Sequence, residues 1–273
     1  MKITIDHATT YRYEEPVNYS IQSLRLSPQP FDGQFIRYWN VESDFGQLPL
    51  GFFDSFGNLT HTLVVDRPHE SLTISVRGEV ETSNRDGVVT GSIETFATNF
   101  YLRETELTEI DGALRGLGRA AQSGATSPLN CLHRLMEGVR EAIDYKTGET
   151  HSMTTAAQAL AHGFGVCQDH AHAFIAAARS IDIPARYVSG YLLSGEEEVL
   201  SEAAHAWAEA YVPDLGWVGF DVANMICPTE YYVRIGVGLD YREAAPIRGV
   251  RRGGGDEDME VVVKVARAGG SAQ

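Results

Sequence analysis

The stretch CQDHAHAFIAAARSI, residues 167–181, constrains the fold most. At helical spacing Cys167, Ala171, Phe174, Ile175 and Ala178 share a face, and Ala173, Ala176 and Ala177 cover much of the rest. A helix apolar on most sides has to be buried, so the chain must wrap around it. Its approach, Gly163-Phe164-Gly165-Val166, is glycine-rich and starts the helix at Cys167. The unpaired N–H groups of a helix N-terminus favour negative charge. A thiol held there is biased toward thiolate, the nucleophilic form. A rigid, buried element is also where a well-aimed nucleophile belongs.

Two further residues complete an inventory of nucleophile, base and orienter. His205, in AHAWAEAYV, follows Cys167 by 38 residues, and Asp221, in WVGFDVAN, follows by another 16. Singly, each has an ordinary role: a small buried thiol, a satisfied polar side chain, a turn residue. Their order and settings are what point to catalysis.

Through these residues the chain resembles the transglutaminase-like superfamily, and among its bacterial members those described as candidate cysteine proteases. The resemblance runs over Gly165-Val166-Cys167-Gln168-Asp169, Ala171-His172, Arg179-Ser180 and Ile183-Pro184-Ala185-Arg186-Tyr187-Val188-Ser189-Gly190-Tyr191. It continues through His205-Ala206-Trp207-Ala208-Glu209, Gly219-Phe220-Asp221, Gly238-Leu239-Asp240-Tyr241 and Ala245-Pro246-Ile247-Arg248-Gly249. The opening resembles the N-terminal region of the same bacterial proteins at His7, Thr10-Tyr11-Arg12-Tyr13, Leu24-Arg25-Leu26-Ser27-Pro28 and Asp54-Ser55-Phe56-Gly57-Asn58. It implies an α+β, papain-like core, with a nucleophile helix on an antiparallel sheet, behind an N-terminal all-β domain. It also implies that Cys167 is the nucleophile, His205 the base and Asp221 the orienter of a cysteine peptidase or transglutaminase-like acyltransferase. The substrate class is then a protein or peptide amide, with no cofactor. The family commonly has Asp-Pro-Thr-Asn where this chain has Asp221-Val222-Ala223-Asn224, a departure confined to the turn after the Asp. An arylamine N-acetyltransferase also uses Cys, His and Asp, but approaches its Cys through Arg-Gly-Gly, absent here. The same fold without turnover would be a binding or scaffold module, and an electrophile that labels Cys167 separates the two.

An ideal hairpin does not bring the triad together. With Gly216 left-handed in a three-residue bulged loop, Pro213 pairs with Trp217 and Glu209 faces Asp221. His205 and Asp221 then share a face but lie four residues apart, roughly 13 Å at strand rise. A bulge, a longer loop or strong coiling has to close that gap. Gln168 is a candidate oxyanion donor beside the main-chain N–H groups at Cys167. Trp207 and Trp217 are candidate substrate walls, packing being their commoner role. His170 and His172 read as a polar rim of the helix. With Cys167 they offer zinc-type ligands, but spacings of three and five do not converge on one centre. The acidic runs lack calcium-loop spacing.

Residues 1–82 read as β, in runs ITIDHATTYRY, IQSLRLSP, FIRYWNVES, LTHTLVVD and LTISVRGEVET. Helices are expected near Leu107–Ala121, over Pro128–Ile143 after a Ser127 cap, and from Thr154 or Thr155 to Gly163. Glu196-Glu197-Glu198 reads as a solvated loop, Glu257–Arg267 as a strand, and Gly269–Gln273 as a disordered tail. The division expected is an N-terminal β domain over 1–95 and a catalytic core over 96–250. A glycine-rich link, terminal strand and tail fill 251–273. A net charge of −15 argues against nucleic acid and anionic membrane. No apolar run approaches membrane-span length, and MKITIDHATTYRY lacks the apolar block of a signal peptide. Three cysteines, 131, 167 and 227, fit free thiols in a reducing cytoplasm.

Overall fold

The first strand organises half of the molecule. The computed structural model describes residues 1–194, 199–201 and 204–269; Glu196-Glu197-Glu198 and the tail past Gly269 lie outside them. The runs ITIDHATTYRY and IQSLRLSP form one strand, β1 (Lys2–Ser27), rather than two. Pro16 has no N–H for a ladder, so a break is expected there. The strand continues because pairing shifts between Arg12 and Val17. Glu14 and Glu15 meanwhile donate to the carbonyls of Asp256 and Gly254. Buried and exposed residues alternate along most of it, as one covered face requires.

Beyond β1 come β2 (Gln34–Ser43), β3 (Leu59–Val65) and β4 (His69–Thr82). The helices follow: α1 (Gly112–Gln122), α2 (Pro128–Ala142), α3 (Ala156–His162) and α4 (Cys167–Arg179). Ser127 caps α2, accepting from Asn130 N–H, while Thr155 caps α3 and left-handed Gly163 (φ 73°) ends it. Strands β5 (Ala185–Leu192), β6 (His205–Val212), β7 (Gly216–Phe220) and β8 (Tyr232–Gly238) precede a short α5 (Tyr241–Ala244). The chain closes with β9 (Ile247–Gly253) and β10 (Glu257–Arg267). Both return to β1, β9 pairing with Val17–Leu24 and β10 with Ile3–Tyr13. The first and last strands are therefore neighbours in one sheet.

The second sheet runs β8-β5-β6-β7, all antiparallel, and Val88–Val89 extends it. Helix α4 packs on this sheet within the largest apolar cluster, with α1, α2 and α3 around it. Its alanines let the sheet approach closely; larger side chains there would overpack by about 1–3 kcal/mol. Arg179, buried in the last turn, donates to the carbonyls of Tyr101, Ala185 and Leu239 and to Thr108 Oγ1.

Two features weld the sheets. Ile3, Ile5 and Val80 pack with Tyr191, Val233, Ile235, Val263 and Val265 in one buried cluster. The outer edge of β8 is closed by two buried amides rather than a strand. Gln34 bonds both the N–H and the carbonyl of Arg234 at 2.8 Å. Asn58 does the same at Val237, also at 2.8 Å. An edge left open would expose unpaired N–H and C=O groups. Among the described residues no helix is long and apolar enough to cross a membrane.

Candidate active site

Cys167 is the first residue of α4, half-buried at the wall of a cleft. Its cap residue is Val166, which has no side-chain acceptor to offer the first turn. The N–H groups that open the helix stay available to an anion. The approach is fixed from behind by buried Asp169, whose Oδ2 accepts from Val166 N–H at 2.8 Å and Thr150 Oγ1 at 2.7 Å. Gly165 is required there, because a Cβ would stand 2.6 Å from the Asp169 Cβ.

His205 begins β6 and donates from Nε2 to Asp221 Oδ2 at 2.6 Å. The imidazole is 14% exposed and the carboxylate not at all. The same imidazole lines two cavities together with the Cys167 thiol and interacts with it electrostatically. Burial works against its charged form, but the interactions with Asp221 and Cys167 outweigh it and push the imidazole up to about 10. Asp221 Oδ2 also accepts from Tyr232 OH at 2.7 Å and Asn224 Nδ2 at 2.8 Å. Burial opposes the carboxylate, yet the bonds from His205, Asn224 and Tyr232 hold it below its ordinary range.

The gap left by an ideal hairpin is closed by register. Val212 pairs with Gly216 and Ala208 with Phe220, two residues short of the expected ladder. Pro213 cannot donate to the ladder, and Asp214 takes a left-handed φ of 70° before Gly216 at 86°. The loop is thus Pro213-Asp214-Leu215, and the ladder ends at Ala208–Phe220, so that Asp221 follows one residue beyond it, within reach of His205. After Asp221 the Val222-Ala223-Asn224 turn closes by a bridge from Asp221 to Ile226, and Asn224 N–H returns to Asp221 Oδ1 at 3.2 Å.

With this geometry in place, comparison with known proteins becomes specific. The transglutaminase-like superfamily core model matches residues 115–222, which contain Cys167, His205 and Asp221. The model of the bacterial transglutaminase-like N-terminal region matches residues 3–81. The chain belongs to the transglutaminase-like superfamily. An uncharacterised protein of Mycobacterium leprae is 29% identical over 278 residues, covering 97% of this chain and 99% of that one. Another, from Mycobacterium bovis, is 28% identical over 274 residues, covering 90% and 86%. The fold is that of a candidate cysteine protease from Cytophaga hutchinsonii, with a TM-score of 0.78 at 20% identity over 100% of this chain and 92% of that one.

The other residues singled out in this transglutaminase-like sequence are placed unevenly. Gln168 lines the cleft, but its Nε2 donates to Ser152 O at 3.1 Å. Trp207 and Trp217 line neither cavity that holds Cys167. Trp207 lies against Gly190, where a Cβ would meet its ring at 2.5 Å, and packs edge-on to Tyr232. Trp217 carries the Arg186 guanidinium 4.0 Å above its ring. Both pack in one buried aromatic cluster. His170 and His172 are buried rather than forming a rim. His170 lies between the carbonyls of Val166 (2.8 Å) and Ile143 (2.9 Å), and His172 Nε2 accepts from Tyr241 N–H at 3.1 Å. Both nitrogens of His170 and the Nε2 of His172 are spent on the main chain, while His172 Nδ1 is buried without a partner.

Asn224 and Tyr232 were not singled out in the sequence. Asn224 carried a signal, since it ends the turn that starts at Asp221. Tyr232 arrives from β8, two strands away from β6, and only the sheet order reveals it.

Cavities flank the Cys167–His205 pair on two sides, both bordered by Val166, Cys167, Ala204 and His205. One, about 600 Å³, lies toward Asn224, Tyr145 and Tyr191. The other, about 260 Å³, lies toward Gln168, Tyr187 and Tyr241.

Proposed function

We propose that this protein performs thiol-dependent acyl chemistry on a protein or peptide amide, as a cysteine peptidase or transglutaminase-like acyltransferase. One observation carries the reading: an imidazole held by a buried carboxylate lines the same two cavities as a thiol at a helix N-terminus whose cap residue offers no side-chain acceptor. Cys167 Sγ, its proton passed to His205, attacks the amide carbonyl carbon. The opening N–H groups of α4 receive the charge that develops on oxygen. His205, charged and held by Asp221, gives its proton to the departing amine nitrogen as the C–N bond breaks, leaving a thioester on Cys167. It then takes a proton from the acceptor that attacks the thioester. Water as acceptor gives hydrolysis or deamidation, and an amine gives transamidation.

The test is a peptide library incubated with the protein in the presence and absence of a tagged primary amine. New termini, deamidated side chains or incorporated amine are expected, all lost in Cys167→Ala. Turnover that survives in Cys167→Ala would overturn the reading. A protein without turnover whose Cys167 resists electrophiles would be a binding module on the same fold.

A further inference from the structure

The smaller cavity is not made by the catalytic core alone. Its far wall comes from the two ends of the chain: Tyr11 on β1, Ile247 on β9, and Met259 and Val261 on β10. The near wall is Cys167, Tyr187 and Tyr241. Among the described residues that line it, none is Lys, Arg, Asp or Glu. The polar side chains of His7, Thr9 and Ser189 in the wall are already matched within the chain. His7 bonds Tyr191 OH at 2.7 Å and Thr9 Oγ1 at 2.9 Å, and Ser189 Oγ donates to Ala244 O at 2.8 Å. Burial, foremost, holds the phenols of Tyr11, Tyr187 and Tyr241 above the ordinary tyrosine value, so these three stay neutral.

A charged side chain entering such a recess loses water and, apart from His205, which is already committed to Asp221, finds no counter-charge. An apolar one gains by leaving water. The recess borders Gln168 and the first turn of α4, where the oxygen of an acyl group meets the helix N–H groups. A substituent beside that carbonyl reaches it most directly. The other cavity lies on the Asn224 side of His205, toward which the departing amine would lead. From this placement we propose that the recess is the specificity pocket for an uncharged, apolar side chain next to the reacting carbonyl, with selectivity set by the terminal strands β1, β9 and β10. This rests on the acyl chemistry proposed above.

The test uses N-acetyl aminoacyl chloromethyl ketones carrying Leu, Phe, Glu or Lys beside the reactive ketone. Labelling of Cys167 is followed by mass spectrometry and expressed relative to iodoacetamide in the same variant. The Leu and Phe reagents are expected to label at least about tenfold faster than the Glu and Lys reagents. Val261→Asp should lower the Leu-to-Lys rate ratio by about tenfold. Met259→Glu, at an exposed rim position, should move it the same way and covers the case in which Val261→Asp fails to fold. Equal or faster labelling by the Glu or Lys reagents, or an unchanged ratio in the folded variants, would overturn the pocket and leave the thiol chemistry standing. Labelling at Cys131 or Cys227 ahead of Cys167 would take down both.

Discussion

Strand β6 carries two buried ionic clusters on one face, four residues apart, and they differ in one respect. At Glu209 the cluster is closed. The carboxylate accepts from Arg186 Nε and Arg234 Nε, each at 2.7 Å, and is wholly buried. Arg186 goes on to Glu94 at 2.8 Å. At His205 the cluster is open. Asp221 is as buried and better hydrogen-bonded, but the chain of contacts ends on Cys167 at the wall of two cavities. Burial and charge pairing are common to both, so neither marks a functional site alone. What separates them is the group on which the contacts end: a thiol at a helix N-terminus in one, a second carboxylate, Glu94, in the other. The closed cluster is read as stability, the open one as chemistry, and the two should respond oppositely to substitution.

The largest expected effect is on turnover. Cys167→Ala should abolish it with little change in melting temperature, since the thiol is half-buried. Asp221→Asn should cost about four orders of magnitude, as loss of an orienting carboxylate does, while the fold survives. The double variant should be no worse than Cys167→Ala alone, because residues acting as a unit are not additive. Melting and turnover read on the same preparations check all three. Retained turnover in Asp221→Asn would remove that residue from the mechanism.

At the other cluster the balance inverts. Glu209→Gln leaves Arg186 and Arg234 buried without their carboxylate and should cost about 3–5 kcal/mol. Urea unfolding measures this, and turnover per folded molecule should be retained. If Glu209→Gln lost activity without losing stability, the contrast would fail.

The clusters should also part along the pH axis. Burial opposes the Glu209 charge, but Arg234 and Arg186 overcome it and hold the carboxyl at about 2, below its usual 4.5. Its contribution is complete above 4.5 and is lost as pH falls toward 2. His205 is raised from 6.5 to about 10, so its contribution is complete below 6.5 and is lost as pH rises toward 10. Melting temperature against pH should therefore lose its acid-side slope in Glu209→Gln and its alkaline-side slope in Asp221→Asn. The smallest effect is at the turn that sets their register. A Cβ on Gly216 meets nothing within 4 Å, so Gly216→Ala bears only the left-handed backbone cost, about 1–2 kcal/mol. Turnover should persist if the register holds.

How much of this the sequence discloses depends on whether a feature is local. Helix α4 is legible because its alanine pattern and glycine approach are contiguous, and β10 because Val261, Val263 and Val265 alternate. Cys167, His205 and Asp221 are legible as an ordered set, helped by family resemblance. Their meeting is not, because an ideal turn puts His205 and Asp221 too far apart. The two-residue change of register arises from Pro213 and the left-handed Asp214. Tyr232 on Asp221, and Gln34 and Asn58 on β8, are long-range pairings that no local pattern encodes. The continuity of β1 through Pro16 depends on partners near the other end of the chain. His170 and His172 read as a rim because helical spacing cannot tell how many sides of a helix are covered.

The most direct test of the central claim is a competition among the three free thiols. Cys131 and Cys227 are both pushed up by burial, and neither stands at a helix N-terminus beside an imidazole. Limited iodoacetamide near neutral pH, followed by mass spectrometry, reads their relative rates. Cys167 is expected to be alkylated first, at a rate that drops in Asp221→Asn. Preferential alkylation of Cys131 or Cys227 would contradict the account.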